Sequence, residues 1–579
     1  MKKDDRKAIE GREKRWKETT LKTSLEKLKR DKPYTRIHTP LDLREDWNFL
    51  DDVGFPGEYP FTRSSFATFN PPSDRGIDSG AIVSSGVRSR AGEYSGFGRA
   101  EDTRDLWRSE GRRGANIAFD LPTQCGYDSD DPLVKGEVGG TGVAIDTLQD
   151  FATLYEAFEG VVTLDQMASN WTINAPVNII LAMYIALAEK QGVPIAKLRG
   201  TPQNDILKEI LGRGTHIFPV DPSMRMIRDT ITFCTKYMPL FNTISISGDH
   251  MRQAGALTQP QIIALTFSNA IAYIKLGLST GLSIDEFVPR FTFLGLGGGP
   301  EFFREIAMWR AARRMWAKIM KERFGAASQR IMMLRSAYSA RHDADWCTKQ
   351  RPLNNLIRSV IGGIAGCFSG GQASGGIPFD EPLGLGWSYE ARQLRDDATR
   401  IMRYESHLEE VIDPLAGSYY VESLTDEIEG EAWKLINEID SLGGAVETIK
   451  SGWSQRLMAR QAWERQAQIE RGETIVVGVN KFTGENELEV LPQMIVAHPY
   501  DAKKRVEAEE LQIAELKKIK AGRDNSLVRS ELKTIEDAAK RENENLIPYL
   551  VDAVKAQVTL GEICGVLRNV FGEYQETGL

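Results

Sequence analysis

The sequence contains too few cysteines, too widely spaced, to build a disulfide framework. Among its 579 residues there are five cysteines, and no two of them form a C-x-x-C pair. An odd, scattered set of this kind argues against a regular set of disulfides and against a cysteine-based zinc site. We therefore expect a reducing, cytoplasmic environment and no metal site formed by this chain.

The sequence also lacks an excess of positive charge and a long apolar run. Its formal net charge is -8 at pH 7, and no strand-like segment interleaves Lys and Arg with aromatic residues, so nucleic acid is not an expected partner. The first residues are charged, which argues against a secretory signal. The longest apolar run, residues 177–188, is shorter than the roughly 20 residues that cross a bilayer. No membrane partner is expected either.

The periodicity of apolar residues divides the chain into three regions. Residues 1–55 are charged and helical in pattern and then broken by proline and glycine, which is typical of an arm laid over another surface. Residues 56–425 alternate helical periodicity with apolar runs near 115, 167, 197, 243, 290, 331, 363 and 409. Eight strands alternating with helices predict an α/β protein with a (β/α)8 TIM barrel. Residues 426–579 predict a helical region that packs on the barrel.

Three segments pass from an apolar strand into polar, glycine-punctuated residues. They are residues 114–130, 197–205 and 242–250, each followed by a helical pattern. In a barrel, the carboxyl ends of the strands meet at one face, and the active site lies there. We therefore expect the polar residues of these segments to converge on a functional site.

Seven short motifs occur in one order along the chain. They are Ala118-Phe-Asp-Leu-Pro-Thr123, Gly126-Tyr-Asp-Ser-Asp130, Gly142-Val-Ala-Ile-Asp146, Gln203-Asn-Asp-Ile-Leu-Lys-Glu209, Ser245-Ile-Ser-Gly-Asp-His250, Val411-Ile-Asp-Pro-Leu-Ala-Gly-Ser-Tyr-Tyr-Val421 and Val477-Gly-Val-Asn480. With them, nearly the whole chain resembles the large subunits of adenosylcobalamin-dependent acyl-CoA mutases, the methylmalonyl-CoA mutase superfamily. Any one motif alone is weak, whereas the full set in order is specific.

This resemblance implies a radical rearrangement in which the thioester group of an acyl-CoA migrates to the adjacent carbon. The protein then has to hold the acyl-CoA, exclude water and fix the migrating carbonyl. Single-chain members carry a cobalamin-binding domain with an Asp-x-His-x-x-Gly motif, and none of the six histidines here lies in such a motif. The expectation is a separate small subunit that ligates the cobalt of adenosylcobalamin, in a heterotetramer of two large and two small subunits.

The resemblance assigns three catalytic candidates. His250 matches the histidine that hydrogen-bonds the thioester carbonyl in relatives, and Gln203 matches a glutamine near the same carbonyl. Tyr94 matches the tyrosine that packs against the substrate. The structural alternatives are a core histidine satisfied by the backbone and, for Gln203, a strand-end amide that caps the following helix.

The resemblance also assigns candidates for substrate binding. Arg213 stands where relatives that bind a carboxylate carry Arg and those that bind uncharged acyl groups carry Gln; a guanidinium binds a carboxylate through two hydrogen bonds. The alternative for Arg213 is a salt bridge on a helix surface. Further candidates for contacts with the acyl-CoA, including its phosphates, are Thr172, Asn174, Thr201, Arg290, Thr292, Arg88 and Arg90.

Several positions carry smaller residues than their counterparts in relatives. These are Asp249, which replaces a tyrosine, and a run of four glycines, Gly295, Gly297, Gly298 and Gly299. Smaller side chains beside a pocket leave room for a larger ligand. The prediction is a dicarboxylic acyl-CoA bulkier than methylmalonyl-CoA, such as a 2-alkyl- or 2-arylsuccinyl-CoA interconverted with a substituted malonyl-CoA. The alternative is that the glycines only reshape a loop.

The cofactor side of the resemblance is mixed. Glu381 matches the acidic residue that relatives use toward the adenosyl ribose, and Gln372 lies in the same segment. In contrast, Ala337 and Ser339 replace a His and a Gln near the cobalamin, and Ile377 replaces an Asn.

These losses favour a noncatalytic scaffolding paralogue. The retained His250, Gln203 and Arg213 favour the enzyme, and a mutase for a small uncharged branched acyl-CoA is a further alternative. A cobalamin-independent lyase or isomerase would need a base or metal set that the sequence does not contain.

Overall fold

The computed structural model describes residues 3–29, 31, 38–69, 114–140, 142–156, 158, 160, 162–336, 346–372, 374–383, 388–484 and 502–576. Five of the predicted site residues lie outside the described residues. They are Tyr94, Arg88, Arg90, Ala337 and Ser339.

Five parallel strands form the sheet part of the described chain. They are β1 (Gly114–Ala118), β2 (Ala168–Thr172), β3 (Arg199–Pro202), β4 (Ile244–Ser247) and β5 (Phe291–Gly295). β2 pairs in parallel with both β1 and β3, and β4 pairs in parallel with β5. Backbone hydrogen bonds from Asn242 to Gly200 and from Ser245 to Gln203 connect β3 to β4, and a parallel bridge joins Phe293 to Ser336. The strands therefore follow chain order, as in repeated βα units.

Two of the remaining predicted strands are wrong, and one is displaced. Near 331, Gln329–Met332 is helical and the parallel pairing with β5 lies at Ser336. The run near 409 lies in the 3-10 helix Leu408–Glu410, and the run near 363 in the helix Asn354–Phe368. In the last of these, small and polar residues spaced three or four apart form the buried face, among them Ser359, Gly362 and Gly366. A short apolar run with two glycines fits a strand or a helix equally, which explains the error. A closed eight-stranded barrel is not shown in the described ranges.

Helices fill the connections between the strands and form the two ends of the chain. Before β1 lie Lys3–Trp16, Lys22–Leu28 and Phe49–Asp52. Between β1 and residue 400 lie Leu121–Cys125, Leu148–Glu156, Val177–Lys190, Ile206–Lys208, Val220–Tyr237, Asp249–Gly255, Gln259–Leu278, Ile284–Phe287, Phe302–Lys318, Gln329–Met332, Asn354–Phe368 and Tyr389–Arg400. The C-terminal region contains Tyr419–Ser441, Ala445–Lys450, Trp453–Glu470, Ala502–Gly522, Asn525–Ala539, Ile547–Lys555 and Leu560–Phe571.

The main core lies between the strands and the helices that cover one face of them. The indole of Trp171 on β2 packs edge-on to Tyr184 at 5.1 Å, and Phe293 on β5 packs edge-on to Trp316 at 4.9 Å between ring centroids. The helix Gln259–Leu278 is long and apolar enough to cross a membrane. It is mostly buried against neighbouring helices, as expected of a core helix.

Buried ion pairs attach the C-terminal region to the helix Phe302–Lys318. Arg310 donates to Asp413 and to Glu422, and none of the three side chains is exposed. Asp413 is the acidic residue of the motif at 411–421. Because a buried charge without its partner is costly, about 3–5 kcal/mol when one member is removed, this motif has a structural role.

The C-terminal helices also hold the loop that follows β1. Asp128 accepts hydrogen bonds from the Thr559 hydroxyl at 2.6 Å and from Lys520 Nζ, which lies 3.0 Å away. Asp146 accepts a hydrogen bond from Gln512 Nε2 at 2.7 Å. The acidic residues of the motifs at 126–130 and 142–146 therefore fix the C-terminal helices against the strand region.

Candidate active site

Gln203 follows β3 directly and is held at the carboxyl ends of three strands. Its backbone N–H donates to the carbonyl of Trp171 and its carbonyl accepts from Ser245, both at 2.9 Å. The side chain is 7% exposed. The strand ends of β2, β3 and β4 therefore meet here, and two of them, β3 and β4, belong to the three segments that were expected to converge.

Three donors surround one atom of the Gln203 side chain. Its Oε1 lies 2.8 Å from Lys208 Nζ, 3.1 Å from Asn174 Nδ2 and 3.4 Å from a terminal nitrogen of Arg213. Two residues predicted for substrate binding, Asn174 and Arg213, are thus in contact with a predicted catalytic residue. Lys208 was not predicted.

Lys208 and Glu209 form a fully buried ion pair beside Gln203. Burial lowers the pKa of Lys208. Burial alone would raise the pKa of Glu209, but Lys208 and then Arg213 bring it below its ordinary value. Glu209 also accepts hydrogen bonds from Asn174 at 2.7 Å and from the Thr215 hydroxyl. Two adjacent charged residues inside the apolar run of 206–211 were the sequence signal for this pair, since buried charges are rare and paired.

Arg213 is positioned by a short π-helical turn. The turn spans Glu209–Arg213 and ends at Gly214 in the left-handed conformation, with φ of 81°. A side chain at Gly212 would lie 3.0 Å from the carbonyl oxygen of His250, so glycine allows the turn to pack closely on the helix Asp249–Gly255. The Arg213 side chain is 26% exposed, and its nearest carboxylate oxygen belongs to buried Glu209 at 3.7 Å. The guanidinium therefore lies beside Gln203 with part of its surface open.

His250 opens the helix that follows β4. Its Nδ1 lies 2.9 Å from the Ser247 hydroxyl and 3.2 Å from a carboxylate oxygen of Asp249, and 18% of the side chain is exposed. Burial lowers the pKa of His250; the charges of Lys208 and Arg213 lower it further, while Asp249 opposes this effect. The structure thus places His250 next to the Gln203 cluster, where burial and the neighbouring cations disfavour protonation of its ring.

The sheet face opposite the covering helices is lined by threonines. Trp171 and Phe293 face the helices, so strand alternation turns Thr172 and Thr292 to the other side, and Thr201 pairs in register with Asn170 on that same side. All three predicted threonines are only partly buried. A barrel interior is ordinarily filled by large branched side chains, whereas this face carries small polar residues that leave space.

Four arginines lie together at the amino ends of the strands, at the opposite end of this face. They are Arg199, Arg290, Arg330 and Arg335. Burial and then repulsion from Arg330 and Arg199 lower the pKa of Arg290, and burial, Arg330 and Arg290 lower the pKa of Arg335. Within the described ranges, none of the four has a carboxylate partner. Only Arg290 was predicted. Arg199 begins β3 much as Arg290 directly precedes β5, and this repeated position was the sequence signal for Arg199.

The glycine-rich loop after β5 packs closely against other parts of the chain. Gly297 has a φ of 74°, which favours glycine. A side chain at Gly299 would lie 2.7 Å from Arg252 and 2.9 Å from Trp346. The space beside Gly299 is therefore occupied by this chain itself. The pocket-shaping role of Gly295, Gly297, Gly298, Gly299 and Asp249 stays a prediction.

Glu381 and Gln372 lie in the segment after the helix Asn354–Phe368. Glu381 opens the 3-10 helix Glu381–Leu383, and both side chains are partly exposed. A carboxylate and an amide oxygen are suitable acceptors for ribose hydroxyls, so these residues fit the predicted contact with an adenosyl group. Among the residues that the structure describes, no group of His, Cys, Asp and Glu could hold a metal ion.

A surface cavity of about 690 Å³ lies elsewhere. Its lining includes Arg63, Phe69, Arg403, His407 and Glu409, and none of the residues of the Gln203 cluster. Its volume is a poor guide to the position of the functional site, because Phe69, which lines it, is the last described residue before residue 114. The converging polar groups at the strand ends are the stronger indication of a site.

Comparison with known proteins matches most of the chain. The family model described as Methylmalonyl-CoA mutase matches residues 27–573. The chain is 37% identical over 553 residues to the 2-hydroxyisobutanoyl-CoA mutase large subunit of Aquincola tertiaricarbonis, which covers 94% of this chain and 92% of that protein. It is 41% identical over 540 residues to the methylmalonyl-CoA mutase of Escherichia coli (strain K12), covering 92% and 71%. Its identity to the human mitochondrial methylmalonyl-CoA mutase is 38% over 553 residues, covering 94% and 68%.

Proposed function

The chain belongs to the methylmalonyl-CoA mutase family, and from this premise we propose that it is the catalytic large subunit of a heteromeric, adenosylcobalamin-dependent acyl-CoA mutase. Its reaction is the 1,2-migration of the CO–S–CoA group on a dicarboxylic acyl-CoA. The five parallel strands are then part of a (β/α)8 barrel whose axis holds the substrate.

The main observation that supports this proposal is that three features follow one another along one face of the strands. Arginines without carboxylate partners in the described chain lie at the amino ends, partly exposed threonines line the middle, and the amide and imidazole of Gln203 and His250 lie at the carboxyl ends. An acyl-CoA has phosphates at one end, a long narrow arm and a thioester at the other. Its chemistry matches this order, with Arg290 and its neighbours at the phosphates.

The acyl group is held by the residues around Gln203. Gln203 and His250 fix the thioester carbonyl as it migrates, which requires donors placed where electron density shifts. Arg213, beside them and partly open, binds the second carboxylate through its guanidinium. Of the glycines after β5, Gly295, Gly297 and Gly298 are the ones that leave room for a 2-alkyl or 2-aryl substituent, because Arg252 and Trp346 fill the space beside Gly299. The substrate is therefore a substituted succinyl-CoA or the corresponding malonyl-CoA.

The cofactor is brought by a partner. When bound, adenosylcobalamin supplies the radical that removes a hydrogen atom from the substrate. Glu381 and Gln372 would accept hydrogen bonds from its ribose hydroxyls. One relative that matches over nearly its full length is named a large subunit. This name supports a smaller partner subunit; we propose further that the partner binds the cobalamin, that two large and two small chains assemble, and that the assembly is cytoplasmic.

A second candidate substrate is a small uncharged branched acyl-CoA. The relative named as a 2-hydroxyisobutanoyl-CoA mutase supports it. The position of Arg213 opposes it, because an uncharged acyl group leaves this guanidinium with only the Glu209 carboxylate, which it shares with Lys208. The contact between Arg213 and Gln203 also opposes a noncatalytic scaffold. A scaffold has no need to place a carboxylate-binding side chain beside a carbonyl-binding one.

Calorimetric binding of CoA esters to the purified chain tests the proposal before any turnover is measured. Succinyl-CoA should bind more tightly than butyryl-CoA, which has the same carbon chain without the second carboxylate. Equal affinity would contradict the dicarboxylic assignment, and failure of both esters and of free CoA to bind would contradict the substrate channel.

A further inference from the structure

We propose that the buried Lys208–Glu209 pair is a positioning element for Gln203: it fixes the side-chain amide with the oxygen inward, so that the Nε2–H groups face the thioester carbonyl. This inference rests on the proposed acyl-CoA site and adds a residue pair to it. The observation behind it is that Oε1 of Gln203 lies within 2.8–3.4 Å of three donors.

The orientation of the amide follows from the chemistry of its neighbours. Lysine and arginine side chains only donate hydrogen bonds, so the Gln203 atom between Lys208 and Arg213 must be the acceptor. The third neighbour is equally constrained: Oδ1 of Asn174 accepts from the backbone N–H of Asp205 at 3.0 Å, so the Asn174 nitrogen is the one facing Gln203. All three contacts require the same orientation.

The remaining atom of the amide is free to act on a ligand. Within the described chain, Nε2 of Gln203 has no protein partner, while Oε1 is saturated. A substrate carbonyl has only acceptor atoms. Gln203 can therefore bind the thioester carbonyl only in the orientation that Lys208 imposes, and the reverse orientation would present an acceptor to an acceptor.

Glu209 makes the buried lysine possible. An ammonium group without a partner in the interior would cost several kcal/mol. Glu209 compensates this charge, and it is itself fixed by Asn174 and by Thr215. Were the pair only structural, the Lys208 ammonium would not need to reach Gln203 at 2.8 Å.

The test compares two ligands that differ in one oxygen. Succinyl-CoA contains the thioester carbonyl, and S-(3-carboxypropyl)-CoA is the thioether with the same carbon chain and carboxylate but without that oxygen. In the wild type the thioester should bind about 10-fold more tightly, the value of one hydrogen bond of about 1.4 kcal/mol. Calorimetry on the full chain gives the ratio without turnover.

Two variants decide the inference. The double variant Lys208→Met/Glu209→Gln removes both charges, and Gln203→Glu keeps the acceptor toward Lys208 but loses the outward donor. In both, the thioester preference should fall to about 1. The thioether affinity should stay within about twofold of wild type in the double variant, which leaves the net charge of the cluster unchanged, whereas the new carboxylate of Gln203→Glu beside Arg213 should weaken both ligands equally. Lys318→Met, which breaks an ion pair to Glu429 outside the cluster, should keep the preference.

A preference that is unchanged in the folded double variant overturns the inference while leaving the proposed function intact. If the double variant does not fold, Gln203→Glu is the deciding variant. A thioester preference that Gln203→Glu retains also contradicts the inference. Failure of the wild type to bind either ligand refutes the proposed acyl-CoA site, and the inference with it.

Discussion

The ammonium of Lys208 and the side-chain oxygen of Gln203 are joined by a buried hydrogen bond of 2.8 Å. Lys208 and Arg213 share a single carboxylate, that of Glu209. The cluster around Gln203 therefore contains two cations and one anion in direct contact. The guanidinium of Arg213 is the partly exposed member, so a ligand that brings a second carboxylate is favoured there.

Replacing Arg213 with glutamine should separate charged from uncharged substrates. The Gln side chain keeps hydrogen-bonding capacity but loses the charge, so kcat/KM for succinyl-type esters should fall about 10- to 100-fold, as for a charge-assisted hydrogen bond. The value for butyryl-CoA should be unchanged or higher. Steady-state kinetics with both esters measure this, and an unchanged kcat/KM for the dicarboxylic ester would remove Arg213 from the site.

His250→Ala should affect turnover more than binding. Loss of a preorganised donor at the migrating carbonyl lowers kcat by about 100-fold or more. Affinity for free CoA should stay near wild type, because the phosphates bind at the other end of the strands. Single-turnover kinetics and calorimetry separate the two effects. A variant with wild-type kcat would show that His250 is only a structural residue.

Arg290→Met should weaken binding without slowing the chemical step. It removes one cation from the arginine cluster at the amino ends of β3 and β5. KM for an acyl-CoA should rise about 10-fold with kcat unchanged, and the salt dependence of binding should decrease. Arg456→Met, on the exposed surface of the helix Trp453–Glu470, is the control. Equal effects of the two substitutions would contradict a phosphate site at Arg290.

Asp205→Asn should change how stability depends on pH. Asp205 is buried, and burial raises its pKa to about 6. The protonated carboxyl therefore stabilises the fold at pH below about 4, and this contribution, about 3 kcal/mol for two pKa units, is lost as the pH rises through 6. The Asn variant cannot lose a proton. Its thermal midpoint relative to wild type should rise between pH 4 and pH 8, and parallel curves would contradict the assignment.

Gly200→Ala should destabilise the sheet, whereas Gly565→Ala should not. A methyl group at Gly200 would lie 2.1 Å from the carbonyl oxygen of Ser169 on β2, so the strands must separate, at a cost of about 3 kcal/mol. Gly565 lies in the helix Leu560–Phe571 with open space around it, where Ala gains about 0.5–1 kcal/mol. Thermal unfolding of both variants checks this, and similar midpoints would contradict the close packing of β2 and β3.

The sequence predicted the five described strands because a short apolar run lies at or beside each of them and a helical pattern follows. β1 to β5 lie within a few residues of their predicted positions. The errors at 363 and 409 arose where the same apolar pattern fits a helix. Whether such a segment forms a strand or a helix depends on how its faces are buried, and that burial depends on neighbours distant in the chain.

Part of the site was predicted, and the part that was missed also depends on burial. Gln203, Arg213, Asn174 and His250 were identified through motifs, and the structure brings them together. The pair Lys208–Glu209 was missed because a Lys-Glu sequence is ordinarily a solvated helix surface. The local signal was the apolar run of 206–211 around the pair, and the complete burial that makes the pair important depends on neighbours distant in the chain.

The most direct test is an anaerobic isomerisation assay with the chain, the proposed cobalamin-binding small subunit and adenosylcobalamin. Methyl-, alkyl- and arylsuccinyl-CoA esters are offered beside isobutyryl-CoA, and products are identified by mass spectrometry. The account predicts turnover of a substituted dicarboxylic ester and little or none of isobutyryl-CoA. Turnover of isobutyryl-CoA alone would contradict the substrate assignment, and no turnover of any ester by the assembled complex would contradict catalysis itself.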